Sequence, residues 1–430
     1  MLVFTGASSL KIVEGIMTKY RNIFPGPEGA HPNYDEGKVV PCELPDLLST
    51  SSGKQISSFK EWFAWKRPEI LKDYEQCIFG TSPLQAKVHC QKAGSEQVNT
   101  IKGIRAQRYD LYLSDRNIRL TQFVVFTPLN VKGPVPAFLG PNVLGNQSLT
   151  RLFSLPVSTA WTYPRPSFGI DDTGHATADS AGLHSARWPL EMIIQRGYAL
   201  VSFHNADFFP DKRDGRTESV QPLFDAYSDI PFTWGAIATW AWGMSKVLDC
   251  LREVNSIDEK RVIATGHSRL GKASLWAAAS DVRFAGVIAN ESGEGGCAIS
   301  RRKFGERVSD IVKHFPHWFT DEYQSFSDAE ETMPVDAHCL ISLLAPRPVY
   351  VASAEDDLWS DPVGEFTGLK EASVVWALAG KTANGPGYRK MPRTSTPLSG
   401  TLSYHVRSGG HDITPYDWQQ FLTFADKFIK

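Results

Sequence analysis

Apolar residues follow three different rhythms along this chain of 430 residues. The segments VPAFLG, YALVSF, VIATGHS, GVIANES and PVYVASA are short, nearly continuous apolar runs, each followed by a Gly, Ser, Asp or Asn turn. Strands covered on both faces by helices read this way, which predicts a mostly parallel sheet. Two earlier segments, RAQRYDLYLS and IRLTQFVVFTPL, alternate apolar and polar residues as half-buried strands do. Helical spacing places Trp234, Ile237, Ala238, Ala241, Leu248 and Leu251 on one stripe of WGAIATWAWGMSKVLDCL. Further helices are expected in LGKASLWAAAS, DAHCLISLLA and YDWQQFLTFADKFIK. SFKEWFAWKRPEILKDYEQCIFG also reads as a helix, with Trp62, Trp65, Ile70 and Tyr74 on its apolar stripe. The fold class is therefore α/β, a central sheet between two helical layers.

Residues 1–55 are rich in Pro, Gly and Ser, and predict an extended arm lying over a domain. Residues 56–430 read as one domain. Its long polar stretch near 154–187 is expected to form a surface insertion or lid. A hydrophobic share of 42% and a charged share of 21% suit a globular enzyme. The formal net charge of −2 offers no global field for nucleic acid or anionic lipid. Apolar runs of the eighteen or so residues that a spanning helix needs do not occur. The opening twenty residues lack a basic stretch followed by an unbroken apolar one, so they do not read as a signal peptide. Six cysteines without C-x-x-C or zinc spacing read as free thiols. Most of the 12 Trp are expected to fill the core.

The segment that carries chemistry is VIATGHSRLGKASLW. A buried strand runs into Gly266-His267-Ser268-Arg269-Leu270-Gly271, and a helix follows. That is the context of a nucleophile elbow, where a strained turn exposes the serine hydroxyl beside helix-start N–H groups. The spacing is G-x-S-x-x-G, and an ordinary strand–helix turn would share it. Arg269 and Lys272 add weight, because cations in a first helical turn oppose the helix dipole. Lys272 lies on the same helix face as Ser268. A base is expected later in the chain. His411, after a strand and a Gly-Gly turn and just before the last helix, fits best. His405 sits inside the strand and His338 inside an apolar helix, so both read as structural. For the acid, Glu355, Asp356 and Asp357 follow the penultimate strand, while Glu291 ends the strand after the serine. Either place could orient an imidazole.

The strings GHSRLGKASLWAAASD, NESGEGG, SRRKFGERV, FPHWF, MPVDAHCLISLLAPRPVYVASAEDDLWSDPVGEF and YHVRSGGHDITPYDW resemble the glucuronoyl esterases of carbohydrate esterase family 15, especially their bacterial branch. The likeness runs from about residue 30 to the end. It implies an α/β-hydrolase fold and hydrolysis of (4-O-methyl-)glucuronate esters joining glucuronoxylan to lignin alcohols. It implies Ser268 as nucleophile, His411 as base and Arg269 as a helper of the oxyanion. It further implies sugar contacts at Lys272, Glu306 and Trp359. The acid falls at Glu291 in fungal members and at Asp357 in many bacterial ones. No metal or organic cofactor is implied, and a secreted or periplasmic monomer is expected. Fungal members tie the serine and histidine loops by a disulfide at the positions of His267 and Asp412. A polar contact between those two side chains is the expected substitute. Rival readings are a xylan acetyl esterase or general carboxylesterase, and a non-catalytic sugar-binding relative.

Overall fold

The computed structural model describes residues 24, 26–225, 234–381, 388 and 390–430. Nine strands form one sheet: β1 (Val88–Asn99), β2 (Ile104–Leu113), β3 (Ile118–Pro128), β4 (Val135–Leu139), β5 (Ala199–Phe203), β6 (Ile257–His267), β7 (Gly286–Asn290), β8 (Val349–Ala354) and β9 (Leu402–Arg407). Their spatial order is β1-β2-β3-β5-β4-β6-β7-β8-β9. The pairs from β1 to β5 are antiparallel, and every pair from β5 onward is parallel. This is the mostly parallel sheet with antiparallel leading strands that the two strand rhythms predict, and it is the α/β-hydrolase arrangement that the resemblance implies.

The apolar runs are central strands for a physical reason. Every residue of β4, β5, β7 and β8 is buried, so neither face is left for a solvated polar row. On one face, α1 (Ala236–Leu251), α2 (Arg269–Ser280) and α3 (Pro362–Leu378) bury Trp240, Trp276 and Trp376 in a large cluster. On the other, α4 (Pro415–Phe428) packs Trp418 and Phe421 with Tyr198 and Ile193. The result is a three-layer body. Among the described residues, no helix is long and apolar enough to cross a membrane.

One strand escapes the sequence pattern, and one helix reading needs correction. Strand β1 carries no apolar alternation, and only Ala93 in it is buried. It forms because β2 offers an unpaired edge, along which Val88 meets Leu113 and Asn99 meets Ile104. The segment from Phe59 to Phe79 is helical but not uniformly α: Trp62–Lys66 and Glu75–Phe79 are π turns. Each wider turn shifts the facing of later residues. Trp62 is fully buried, whereas Trp65, expected on the apolar stripe, is 54% exposed.

The described residues before Phe59 run along the same body, whereas most of the first half of the expected arm, residues 1–23 and 25, lies outside the described residues. Asn33 bridges Gly305, Glu36 pairs with Arg302, and the Pro45 carbonyl accepts from His338 Nε2 at 2.8 Å. That contact and a buried ring make His338 a structural residue. His405 is structural too, buried between the Tyr350 hydroxyl at 2.9 Å and Asp417 at 2.8 Å.

Candidate active site

Strand β6 delivers its last residue, His267, to the edge of an open cleft. Ser268 then takes φ +59°, a left-handed conformation that non-glycine residues rarely adopt, and α2 begins at once. A Cβ on Gly266 would collide with the Leu270 carbonyl, so the strand can approach its own helix this closely only with glycine there. The Ser268 N–H is held by the Asn290 carbonyl at 2.8 Å. The Ser268 carbonyl accepts from Gly271 at 2.8 Å and Lys272 at 3.2 Å. The N–H groups of Arg269 and Leu270 precede the first intrahelical bond, as first-turn amides do, and lie beside the serine.

Ser268, Arg269 and His411 line two recesses that meet at the serine. One, about 260 Å³, also holds Lys272, Glu306 and Trp359. The other, about 140 Å³, is walled by Val143, Trp161, Tyr163, Arg165 and Arg187. The polar stretch near 154–187 thus forms part of the cleft wall.

His411 stands on the loop between β9 and α4, and that loop is wrapped around one guanidinium. Arg407 Nε donates to Asp417 at 2.9 and 3.1 Å. Its Nη1 donates to the carbonyls of Ser408 and Gly410, each at 3.1 Å. Its Nη2 donates to Glu291 at 2.5 Å and to the Asp412 carbonyl at 2.6 Å. All of its donor nitrogens are engaged, in a geometry only arginine supplies.

Both candidate acids reach His411. Asp357 accepts from its Nδ1 at 2.7 Å. Glu291 Oε2 lies 3.3 Å from the same nitrogen and also accepts the Asp412 N–H at 2.8 Å. Glu291 has φ +48° at the end of β7, a second strained non-glycine position in the cleft. Burial pushes the Glu291 carboxyl up to about 7, although His411 and Arg407 oppose the rise. Asp357 is also penalised by burial, but the charge and hydrogen bond of His411 hold it below the usual carboxylate value. Burial disfavours the His411 imidazolium, yet Asp357 and Glu291 together raise it to about 10. Glu355 and Asp356 are not part of this contact, and Glu355 instead accepts from Thr394 at 2.5 Å.

The expected contact between the side chains of His267 and Asp412 is not what forms. Asn290 joins their two loops: its Nδ2 donates to His267 Nδ1 at 2.9 Å and to the Asp412 backbone carbonyl at 2.9 Å. The Asp412 carboxylate turns away to Arg187, at 2.6 Å. A buried amide with two donors can hold both loops at once, whereas the exposed carboxylate finds a better partner in a guanidinium. Burial, then the charge of His411, pushes the His267 imidazole well below its usual value, consistent with an acceptor nitrogen facing the amide.

Arg269 is paired with the buried Asp211 and lies over the Trp318 ring at 4.6 Å. Asp211 also accepts from His317 at 2.8 Å and from Trp318 Nε1 at 2.7 Å. Burial alone would raise its carboxyl; Arg269 and these donors bring it down to about 2. The guanidinium is therefore aimed rather than free. Lys272 and Glu306 behave differently. Both are buried at the wall of the larger recess, and among the described residues neither forms an ion pair within 4.0 Å. Burial lowers Lys272 and raises Glu306 to about 7, each moderated by the other's charge. Trp359 completes that wall, with Phe24 edge-on to it at 5.5 Å.

A sequence model of the family described as glucuronyl esterase, fungi, matches residues 182–380. Carbohydrate esterase MZ0003, from an unknown prokaryotic organism, is 34% identical over 420 residues, spanning 97% of this chain and 96% of that protein. A solved CE15 esterase from a marine bacterial metagenome, described as promiscuous, superposes with a TM-score of 0.85 at 34% identity, over 93% of this chain and 100% of that one. The chain belongs to carbohydrate esterase family 15. The solved glucuronoyl esterase from Solibacter usitatus is a further family likeness, with a TM-score of 0.84 and 38% identity over 91% of this chain and 99% of that one.

In this family 15 esterase, one group of side chains has the spacing of a metal site. His267, Glu291 and His411 each bring a ligand atom within 4.8 Å of the others. The carboxylate and both Nδ1 atoms are already engaged: Glu291 with Arg407 and the Asp412 N–H, His411 Nδ1 with Asp357, and His267 Nδ1 with Asn290. The donor set fits a hydrogen-bonded hydrolase centre. Sequence reading missed Asp211, Arg407, Asn290 and the aromatic pair Trp161–Tyr163. Only Arg407 left a trace, as a charge at the end of a fully buried strand.

Proposed function

We propose that this esterase hydrolyses (4-O-methyl-)glucuronate esters that join glucuronoxylan to lignin alcohols. The observation that carries the reading is the larger recess. A buried ammonium and a buried carboxyl without ion-pair partners are costly to keep, and Lys272 and Glu306 lie beside the Trp359 ring and next to Ser268. Sugar hydroxyls would satisfy both groups by charge-assisted hydrogen bonds, and the indole offers a face for the pyranose ring.

In this mechanism Ser268 attacks the uronate carbonyl carbon while His411 Nε2 takes its proton. The C–O double bond opens, and its electron pair becomes an oxyanion facing the first amides of α2 and the Arg269 guanidinium. Collapse expels the alcohol, which leaves with the proton from His411. Water, activated by the same imidazole, then releases the acid and regenerates Ser268. Asp357 is the acid that orients His411, since its hydrogen bond to Nδ1 is the shorter. Glu291 supports it and holds the loop through Arg407 and Asp412. Residues 56–430 act as one catalytic unit, with the preceding arm at its rim. The enzyme works as a secreted or periplasmic monomer, a reading that rests on the family resemblance.

Ser268→Ala is expected to abolish hydrolysis of methyl and benzyl glucuronates and labelling by a fluorophosphonate. Turnover at the unmodified rate would overturn the assignment. A broader carboxylesterase is the second reading, favoured by the relative described as promiscuous. It predicts equal or faster turnover of acetylated xylan and p-nitrophenyl acetate.

A further inference from the structure

The smaller recess has a composition of its own. With the uronate in the larger recess, the ester oxygen that His411 protonates faces the smaller one, because Ser268, Arg269 and His411 are the shared border. Its volume, about 140 Å³, is close to the roughly 150 Å³ known to take a benzene ring. Part of its wall is aromatic and held in place. Trp161 and Tyr163 meet edge to face at 5.3 Å, and a Cβ on Gly174 (φ +84°) would collide with the Trp161 indole nitrogen. In Trp-Thr-Tyr-Pro-Arg the proline favours extended backbone before it, so alternate residues Trp161, Tyr163 and Arg165 share a side.

Three guanidinium groups line this recess, and two are neutralised. Arg269 is paired with Asp211, and Arg187 with Asp412 at 2.6 Å. Arg165 forms no ion pair among the described residues. Burial, then the neighbouring charges of Arg269 and Arg187, holds it below the usual guanidinium value. An anion beside it would relieve that repulsion.

Resting on the function proposed above, we infer that this recess is the alcohol subsite, and that it selects an aromatic alcohol whose ring carries a carboxylate. Trp161 and Tyr163 take the ring, and Arg165 takes the carboxylate. The test compares kcat/KM for methyl, benzyl, 4-carbamoylbenzyl and 4-carboxybenzyl glucuronates. Benzyl is expected above methyl, and carboxybenzyl above the isosteric carbamoylbenzyl by about three- to tenfold, the scale of a partly exposed charge pair. That last ratio is expected to fall to about one in Arg165→Gln and at 1 M salt, and to survive in Arg165→Lys. A carboxybenzyl ester no better than the carbamoylbenzyl one, or a preference undiminished in Arg165→Gln, overturns the subsite. Failure of the wild-type chain to cleave any of the four esters instead overturns the proposed function.

Discussion

Asp357 and Glu291 converge on one atom, Nδ1 of His411, at 2.7 and 3.3 Å. They are not equivalent. Asp357 makes the shorter contact, while Glu291 is divided between that nitrogen, Arg407 and the Asp412 N–H. A doubled acid can therefore split two tasks, one orienting the imidazole and the other holding the loop that carries it.

Asp357→Asn is expected to lower kcat by about 10³–10⁴-fold with little effect on folding, the scale of losing the group that fixes the imidazole tautomer. Glu291→Ala is expected to act mainly on stability, by about 1.5–3 kcal/mol, because it takes away one of the two carboxylates on the buried Arg407 and the acceptor of the Asp412 N–H, while Asp417 still pairs the guanidinium. Denaturant midpoints beside kcat separate the two. Equal activity losses with unchanged midpoints would contradict the division of labour.

Only a neutral imidazole can take the serine proton. With His411 raised to about 10 by its two carboxylates, kcat/KM is expected to climb as pH rises through the neutral and alkaline range. Asp357→Asn removes one negative neighbour, so the acid limb of its profile shifts to lower pH even as the plateau falls. The stability sign is opposite. A histidine raised in the folded state stabilises fully below the ordinary imidazole value, and that contribution is lost as pH rises toward 10. A pH–rate profile and melting curves across the same range check both.

Arg407→Lys keeps the charge but loses the fork that binds three loop carbonyls and two carboxylates. A lysine has three donors on one atom and cannot reach all of these acceptors. The variant is expected to fold less stably by about 3 kcal/mol or more, with kcat falling further than KM rises. Wild-type kcat in Arg407→Lys would show that His411 needs no such support.

Lys272→Met and Glu306→Gln address the sugar. Each removes a charge-assisted hydrogen bond worth about 1.5–3 kcal/mol. The ratio of kcat/KM for methyl glucuronate to that for p-nitrophenyl acetate is expected to fall about ten- to a hundredfold. A ratio that stays at the wild-type value would place the uronate elsewhere.

Much of this site is legible in the linear chain because its parts sit in recognisable local settings. Ser268 stands between a buried strand and a helix, with Gly266 where a side chain would collide. His411 follows the last strand, and both acids follow strand ends. The groups that aim these residues have no local signature. Asp211 is 58 positions from Arg269, Glu291 is 116 from Arg407, and Asn290 is 122 from Asp412. The tether expected between His267 and Asp412 illustrates the difference: the two loops do meet, but the bond runs through an asparagine on a third strand.

Apart from β1, the succession of strands and main helices, the elbow and the positions able to supply a serine, a base and an acid were set by the sequence alone, since periodicity and turn chemistry act over a few residues. Tertiary structure decided which carboxylate lies nearer His411, what aims Arg269, and which charges in the cleft are without an ion pair among the described residues. Those outcomes depend on burial and on neighbours across the sheet, and no spacing along the chain encodes either.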